Sequence, residues 1–167
     1  MFIKYSNQLI EALHKCDSDE WDQAIDLVSK AYDENRQVFT CGNGGSANTA
    51  SHYIVDWNKM TLHYNSKALK GICLCDNIGT ITAYANDYDY KSIYAEQLKF
   101  YAQKGDLLIV ISGSGNSQNI LEALNAANQL GLNTIAIVGF DGGSAIDIAK
   151  HKVHVPIGDM QIVEDLH

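Results

Sequence analysis

Residues 37–56 constrain the fold of this 167-residue chain more than any other stretch. Gln37-Val38-Phe39-Thr40-Cys41 is a short apolar run that reads as a strand, and it breaks on Gly42, Gly44 and Gly45, which flank Asn43. The chain then resumes as a helix from about Ser46 to Trp57, with Ser46 or Asn48 as its cap. Glycines let the backbone turn tightly and approach a ligand closely. The helix start presents unpaired N–H groups and the positive end of the helix dipole. Strand, glycine-rich turn and helix together make a cradle for a phosphate or a sugar hydroxyl, with Gly44 and Ser46 as candidate ligand contacts. His52 and Asp56 lie four residues apart on one face of the same helix. They are either a surface pair or a base and metal-ligand pair beside the cradle.

The same alternation continues to the end of the chain. Ahead of it, residues 1–35 read as two helices, one with Leu9, Ile10 and Leu13 as its stripe and one with Trp21, Ile25, Val28 and Tyr32. Asp17-Ser18-Asp19 supplies the turn between them, and the pair packs either on the sheet or on another subunit. Gly71–Cys75 is a second strand, and Asp76–Thr80 opens a short helix ending near Ala85. A longer amphipathic helix is expected over Tyr90–Ala102, with Ile93, Tyr94 and Leu98 inward. Leu107–Ile111 is apolar throughout, as a central parallel strand should be. After a helix bearing Ile120, Leu121, Leu124, Ala127 and Leu130 come a strand at Thr134–Val138, a helix at Ser144–Ala149, a strand at Lys152–Val155 and a last helix from about Asp159. Repeated strand–helix–strand units imply a five-stranded parallel sheet between helices, an α/β three-layer α-β-α sandwich. Residues 1–167 are read as one domain, with a core over 37–167.

A second turn, Ser112-Gly113-Ser114-Gly115-Asn116-Ser117, follows the central strand and leads into a helix. Its composition resembles a linker, but a buried strand and an amphipathic helix bound it. Ser112, Ser114 and Ser117, with Gly113 and the N–H groups near the helix start, can surround a phosphate. No lysine is present, so this is not a Walker loop, and the first turn lacks the glycine spacing and acidic partner of a dinucleotide site. Gly142-Gly143 reads as a structural turn. A net charge of −8 argues against nucleic acid and anionic membranes as partners. No apolar run approaches the roughly 20 residues of a membrane span, and the first residues do not read as a signal peptide, so a cytoplasmic location is expected. Cys16, Cys41, Cys73 and Cys75 form no CxxC pair and read as free thiols.

Cys41-Gly42-Asn43-Gly44-Gly45-Ser46 with His52, Asn86-Asp87, and Ser112-Gly113-Ser114-Gly115-Asn116-Ser117 together resemble the SIS (sugar isomerase) family, most closely its phosphoheptose isomerase branch. That resemblance implies a sugar-phosphate aldose–ketose isomerase acting on sedoheptulose 7-phosphate in heptose biosynthesis, and a homotetramer with active sites between subunits. It places the phosphate on Ser112, Ser114 and Ser117, and substrate contacts on Asn43 and the Asn86-Asp87 pair, although Asp87 reads equally well as a helix cap. The family's metal-binding histidine falls on His52. Its acidic base falls on Asp56, where the isomerases carry Glu. Val163-Glu164-Asp165-Leu166-His167 resembles the family's C-terminal Ile-Gln-Glu-x-His segment, with Glu164 in place of the Gln on the metal side; a second catalytic histidine aligns beyond His167. A Zn²⁺ ion held by His52, Asp56 and Glu164, or Asp56 as a proton-abstracting base, are the two roles that compete for these side chains. A non-catalytic sugar-phosphate-binding or protein-docking module, and an isomerase of another sugar phosphate, are the alternative readings.

Overall fold

The computed structural model describes residues 2–65 and 67–167. The elements run α1 (Phe2–Leu13), α2 (Ser18–Asp33), β1 (Gln37–Gly42), α3 (Gly45–Asn65), β2 (Lys70–Cys73), α4 (Ile78–Asp87), a 3-10 turn (Tyr90–Ser92), α5 (Ala95–Tyr101), β3 (Leu107–Ser112), α6 (Gln118–Leu130), β4 (Asn133–Val138), α7 (Ala145–Ile148), β5 (His151–His154) and α8 (Met160–Leu166). All strand pairs are parallel, in the order β2-β1-β3-β4-β5. The central strand β3 is buried at every position, as its unbroken apolar sequence requires.

Alternation along the strands divides the core. Leu108 and Val110 join Phe39, Cys41, Ala136 and Val138 against Ile93 and Leu98 and against Ile120 and Leu124 of α6. Leu107, Ile109 and Ile111 turn the other way, with Val38, Ile135, Ile137 and Val153, toward Ala31 of α2 and Ala50 and Ile54 of α3. Successive side chains on a strand point to opposite faces, so a run apolar at every position needs helices on both sides. The three-layer sandwich expected from the sequence is present. The first two helices separate in role: α2 lies on the sheet beside β5, whereas α1 packs against α8, where the Tyr5 hydroxyl donates to the Asp165 carboxylate.

Three boundaries differ from expectation. Helix α3 continues to Asn65 instead of ending near Trp57. Tyr53 and Trp57 stack along it with ring centroids 5.1 Å apart, and neither glycine nor proline interrupts the residues that follow. The helix expected over Tyr90–Ala102 is divided. Asp89 caps the 3-10 turn by accepting from Ser92 N–H at 3.0 Å, and α5 begins only at Ala95. Strand β2 stops at Cys73, where a turn is closed by Asp76 N–H donating to the Cys73 carbonyl at 3.4 Å. The outer edge of β2 is occupied by a side chain from α3. Asn58 accepts from Gly71 N–H at 2.9 Å and donates to the Gly71 carbonyl at 3.0 Å, as a neighbouring strand would.

Candidate active site at the strand-order reversal

From β1 the chain crosses to β2 on one side and then to β3 on the other. In parallel sheets a ligand crevice forms beyond the carboxyl ends of the strands where the order reverses, here between β1 and β3. Gly42 is level with Ile111 in the register, so the turns that follow β1 and β3 open side by side.

The first turn is fixed from below and from the side. Gly44 has φ +55°, a conformation costly for most side chains, and its carbonyl accepts from Ala47 N–H at 3.1 Å and Asn48 N–H at 3.3 Å to start α3. Ser46 is therefore inside the first turn of the helix and buried; neither it nor Asn48 caps α3. The Gly42 carbonyl accepts from the Tyr94 hydroxyl at 2.5 Å and from the Cys75 thiol at 3.5 Å. Asn43 Nδ2 donates to Asn119 Oδ1 at 2.9 Å, and Asn119 Nδ2 donates back to Asn43 Oδ1 at 2.8 Å. The Tyr90 hydroxyl also donates to Asn43 Oδ1, at 3.1 Å. The first turn is thereby tied directly to the helix that leaves the second.

In the second turn Ser112 is buried, and its Oγ accepts from Gly115 N–H at 3.2 Å. Gly113 passes close beneath Met160 of α8. Ser114 is exposed, with its Oγ accepting from Asn116 N–H at 3.3 Å. Ser117 is the N-cap residue of α6, and its side chain makes no capping hydrogen bond, so that hydroxyl and the first N–H groups of a 13-residue helix remain available to an anion. The Gly142-Gly143 turn lies directly beneath: a Cβ on Gly115 would stand 2.0 Å from the Gly142 carbonyl oxygen. Asn116 bridges the two turns by accepting from Ser144 N–H at 3.0 Å.

His52 Nε2 and Asp56 Oδ2 approach to 3.3 Å, with both side chains largely exposed on α3. Glu164 lies elsewhere, its Oε1 3.1 Å from where a Cβ on Gly45 would be. Gly45 precedes His52 by seven residues, about 10 Å along a helix axis. A carboxylate at the N-terminus of α3 favours the helix dipole, but the distance keeps Glu164 away from His52 and Asp56. The expected Zn²⁺ set of His52, Asp56 and Glu164 is thus not assembled. Among the described residues no group of three or more His, Cys, Asp or Glu side chains is placed to hold a metal ion. Asp87 is exposed at the end of α4 and accepts from Asn86 Nδ2 at 2.8 Å, while the capping role next in sequence belongs to Asp89.

The sequence reading missed Asn119 and Tyr90. Asn119 carried a legible signal, a polar residue on the apolar stripe of α6, four residues before the buried Ala123. Tyr90 carried none, because only the broken helix turns its hydroxyl toward Asn43.

The SIS domain family model matches residues 1–139. The phosphoheptose isomerase of Clostridium acetobutylicum is 38% identical over 144 residues, 86% of this chain and 72% of that protein. Among solved structures, a phosphoheptose isomerase from Francisella tularensis superposes with a TM-score of 0.91 at 28% identity, covering 99% of this chain and 88% of the other. The Neisseria gonorrhoeae phosphoheptose isomerase gives 0.90 at 27% identity, covering 99% and 90%. With both serine- and glycine-bearing turns at the reversal point, the chain belongs to the SIS domain family, in the branch formed by the phosphoheptose isomerases.

Proposed function

We propose that the chain interconverts sedoheptulose 7-phosphate and D-glycero-D-manno-heptose 7-phosphate through an enediol. The observation that carries this reading is the pair of turns meeting at the strand-order reversal, with the Ser117 hydroxyl and the α6 N–H groups free to receive a phosphate. Ser114 and Ser117 hold that phosphate, and Ser112 shapes the turn beneath it. Asn43 and Asp87 orient the sugar's oxygens. In the ketose-to-aldose direction a base takes the proton from C1, the C2 carbonyl becomes an enediol oxygen, and a proton returned to C2 leaves the aldehyde at C1. Asp56, oriented by His52, is the base. No step is assigned to a metal ion, because among the described residues His52, Asp56 and Glu164 are not gathered into one ligand set.

His52 and Asp56 share their exposed helix with Val55 and Leu62, and Ile78 and Phe100 are also exposed apolar side chains. We infer a homotetramer whose interfaces cover these residues and remove Asp56 from bulk water, which raises a carboxylate's basicity toward a C–H proton. The location is proposed to be cytoplasmic: all four cysteines are free thiols, which suits a reducing compartment. The exposure of the His52–Asp56 pair favours a second reading, a sugar-phosphate-binding module without chemistry. Turnover of sedoheptulose 7-phosphate by wild type, Ser114→Ala and Asp56→Asn separates the two. Ser114→Ala should raise KM about tenfold, and Asp56→Asn should lower kcat by about 100-fold or more. Wild-type activity in both variants would refute the site.

A further inference from the structure

Asn43 is held by more partners than an open turn requires. An asparagine amide has two lone pairs on its oxygen and two N–H bonds on its nitrogen. Asn119 and Tyr90 occupy the oxygen of Asn43 at 2.8 and 3.1 Å, and Asn119 also takes one of its N–H bonds at 2.9 Å. Asn119 is only 3% exposed, on the face of α6 that otherwise buries Ile120, Ala123 and Leu124. Packing alone would favour an apolar side chain there, since a buried amide is tolerated only when paired. Among the described residues, both of its side-chain hydrogen bonds are made with Asn43.

We propose that Asn119 and Tyr90 are positioning residues for Asn43, saturating its carbonyl so that the amide meets a bound sugar phosphate as one N–H donor of fixed direction. The inference rests on the sugar-phosphate reading of the site and goes beyond it in naming what Asn43 recognises. A donor that cannot turn over to accept selects an oxygen that takes a hydrogen bond: the carbonyl oxygen of the open-chain sugar and, more strongly, the oxyanion that replaces it as the enediolate forms. Without the two positioning residues the amide is free to flip and present its oxygen, which repels that charge. Tyr90 is on the segment that also carries Tyr94, whose hydroxyl holds the Gly42 carbonyl, so one stretch of chain fixes both the backbone and the side chain of the turn.

The test compares Asn43→Ala, Asn119→Ala, Tyr90→Phe and the Asn43→Ala/Asn119→Ala double variant, with kcat and KM for sedoheptulose 7-phosphate measured separately. Side-chain amide resonances are recorded by ¹H–¹⁵N NMR in the same proteins. Asn119→Ala should lower kcat by about tenfold to 100-fold with KM changed by less than about threefold, and Tyr90→Phe should lower it by about threefold to tenfold. The double variant should be no slower than Asn43→Ala, because Asn119 acts through Asn43. Losses that multiply in the double variant, or fall on KM alone, would overturn the positioning role. Tyr90 is 57% exposed, so Tyr90→Phe keeps the test open if Asn119→Ala does not fold. The Asn43 amide signals should shift in Tyr90→Phe, and unshifted signals would overturn the proposal whatever the kinetics. A wild-type protein without turnover would count against the isomerase reading instead, and the amide signals would then decide the positioning alone.

Discussion

His167 shows how a single side chain ties stability to pH. Its ring is largely buried, and among the described residues neither ring nitrogen makes a well-formed hydrogen bond. Burial pushes its pKa below the ordinary 6.5, and the Val138 backbone offsets this only in part. The unfolded chain takes up a proton near 6.5, whereas the folded chain takes it up only at lower pH. In that window the unfolded state binds more protons, so the stability contribution is complete above 6.5 and is lost as pH falls through the folded value. Denaturant midpoints measured from pH 7.5 downward should therefore fall more steeply for wild type than for His167→Gln; parallel curves would contradict the burial of the ring. At this scale the sequence was legible wherever residue type and chemistry coincide. The serines of the second turn and the His52–Asp56 pair could be named, and the pair does meet at 3.3 Å. What could not be read is which lone pairs are already in use. Ser112 Oγ receives Gly115 N–H, and the Asn43 carbonyl is filled by partners 47 and 76 residues away in sequence.

At the scale of elements, periodicity located every strand and nearly every helix, because a run apolar on both faces and a stripe at helical spacing depend on burial alone. It failed where ends are set by local hydrogen bonds. Asp89 starts a 3-10 turn inside an otherwise continuous amphipathic pattern, and the Cys73–Asp76 turn ends β2 although the residues stay apolar. The edge of β2 carries the clearest energetic consequence. Asn58 satisfies both the N–H and the carbonyl of Gly71, so Asn58→Ala leaves two edge groups without their partner. The expected loss is about 1–3 kcal/mol in unfolding free energy, read by chemical denaturation. It should appear together with faster hydrogen exchange at Gly71 N–H. An unchanged midpoint would mean that solvent satisfies the edge as well as Asn58 does.

For the whole molecule, the order β2-β1-β3-β4-β5 was not visible in the sequence, because strand order depends on which crossover goes to which side. The sequence established only that both ligand-type turns follow strand ends. Their meeting, and the bridge from Asn43 to Asn119, comes from the topology. The three expected metal ligands are not gathered for a related reason: spacing along α3 pairs His52 with Asp56, but the docking of α8 delivers Glu164 to Gly45. The proposed tetramer belongs to this scale as well. Val55 is 57% exposed beside Asp56, so Val55→Glu should leave the far-UV circular dichroism intact. It should shift the mass measured by light scattering from tetramer toward monomer and lower kcat at least about tenfold. A wild-type monomer with full activity would remove the assembly from the account.

The central claim is that proton transfer between the two carbons flanking the sugar carbonyl occurs at the strand-order reversal. It is tested most directly by an NMR time course of sedoheptulose 7-phosphate in D₂O with wild-type protein. The account predicts a growing aldose signal carrying deuterium at C2, absent with Asp56→Asn and slowed with Ser114→Ala. Phosphate binding without any deuterium incorporation would contradict it and leave the chain a binding module.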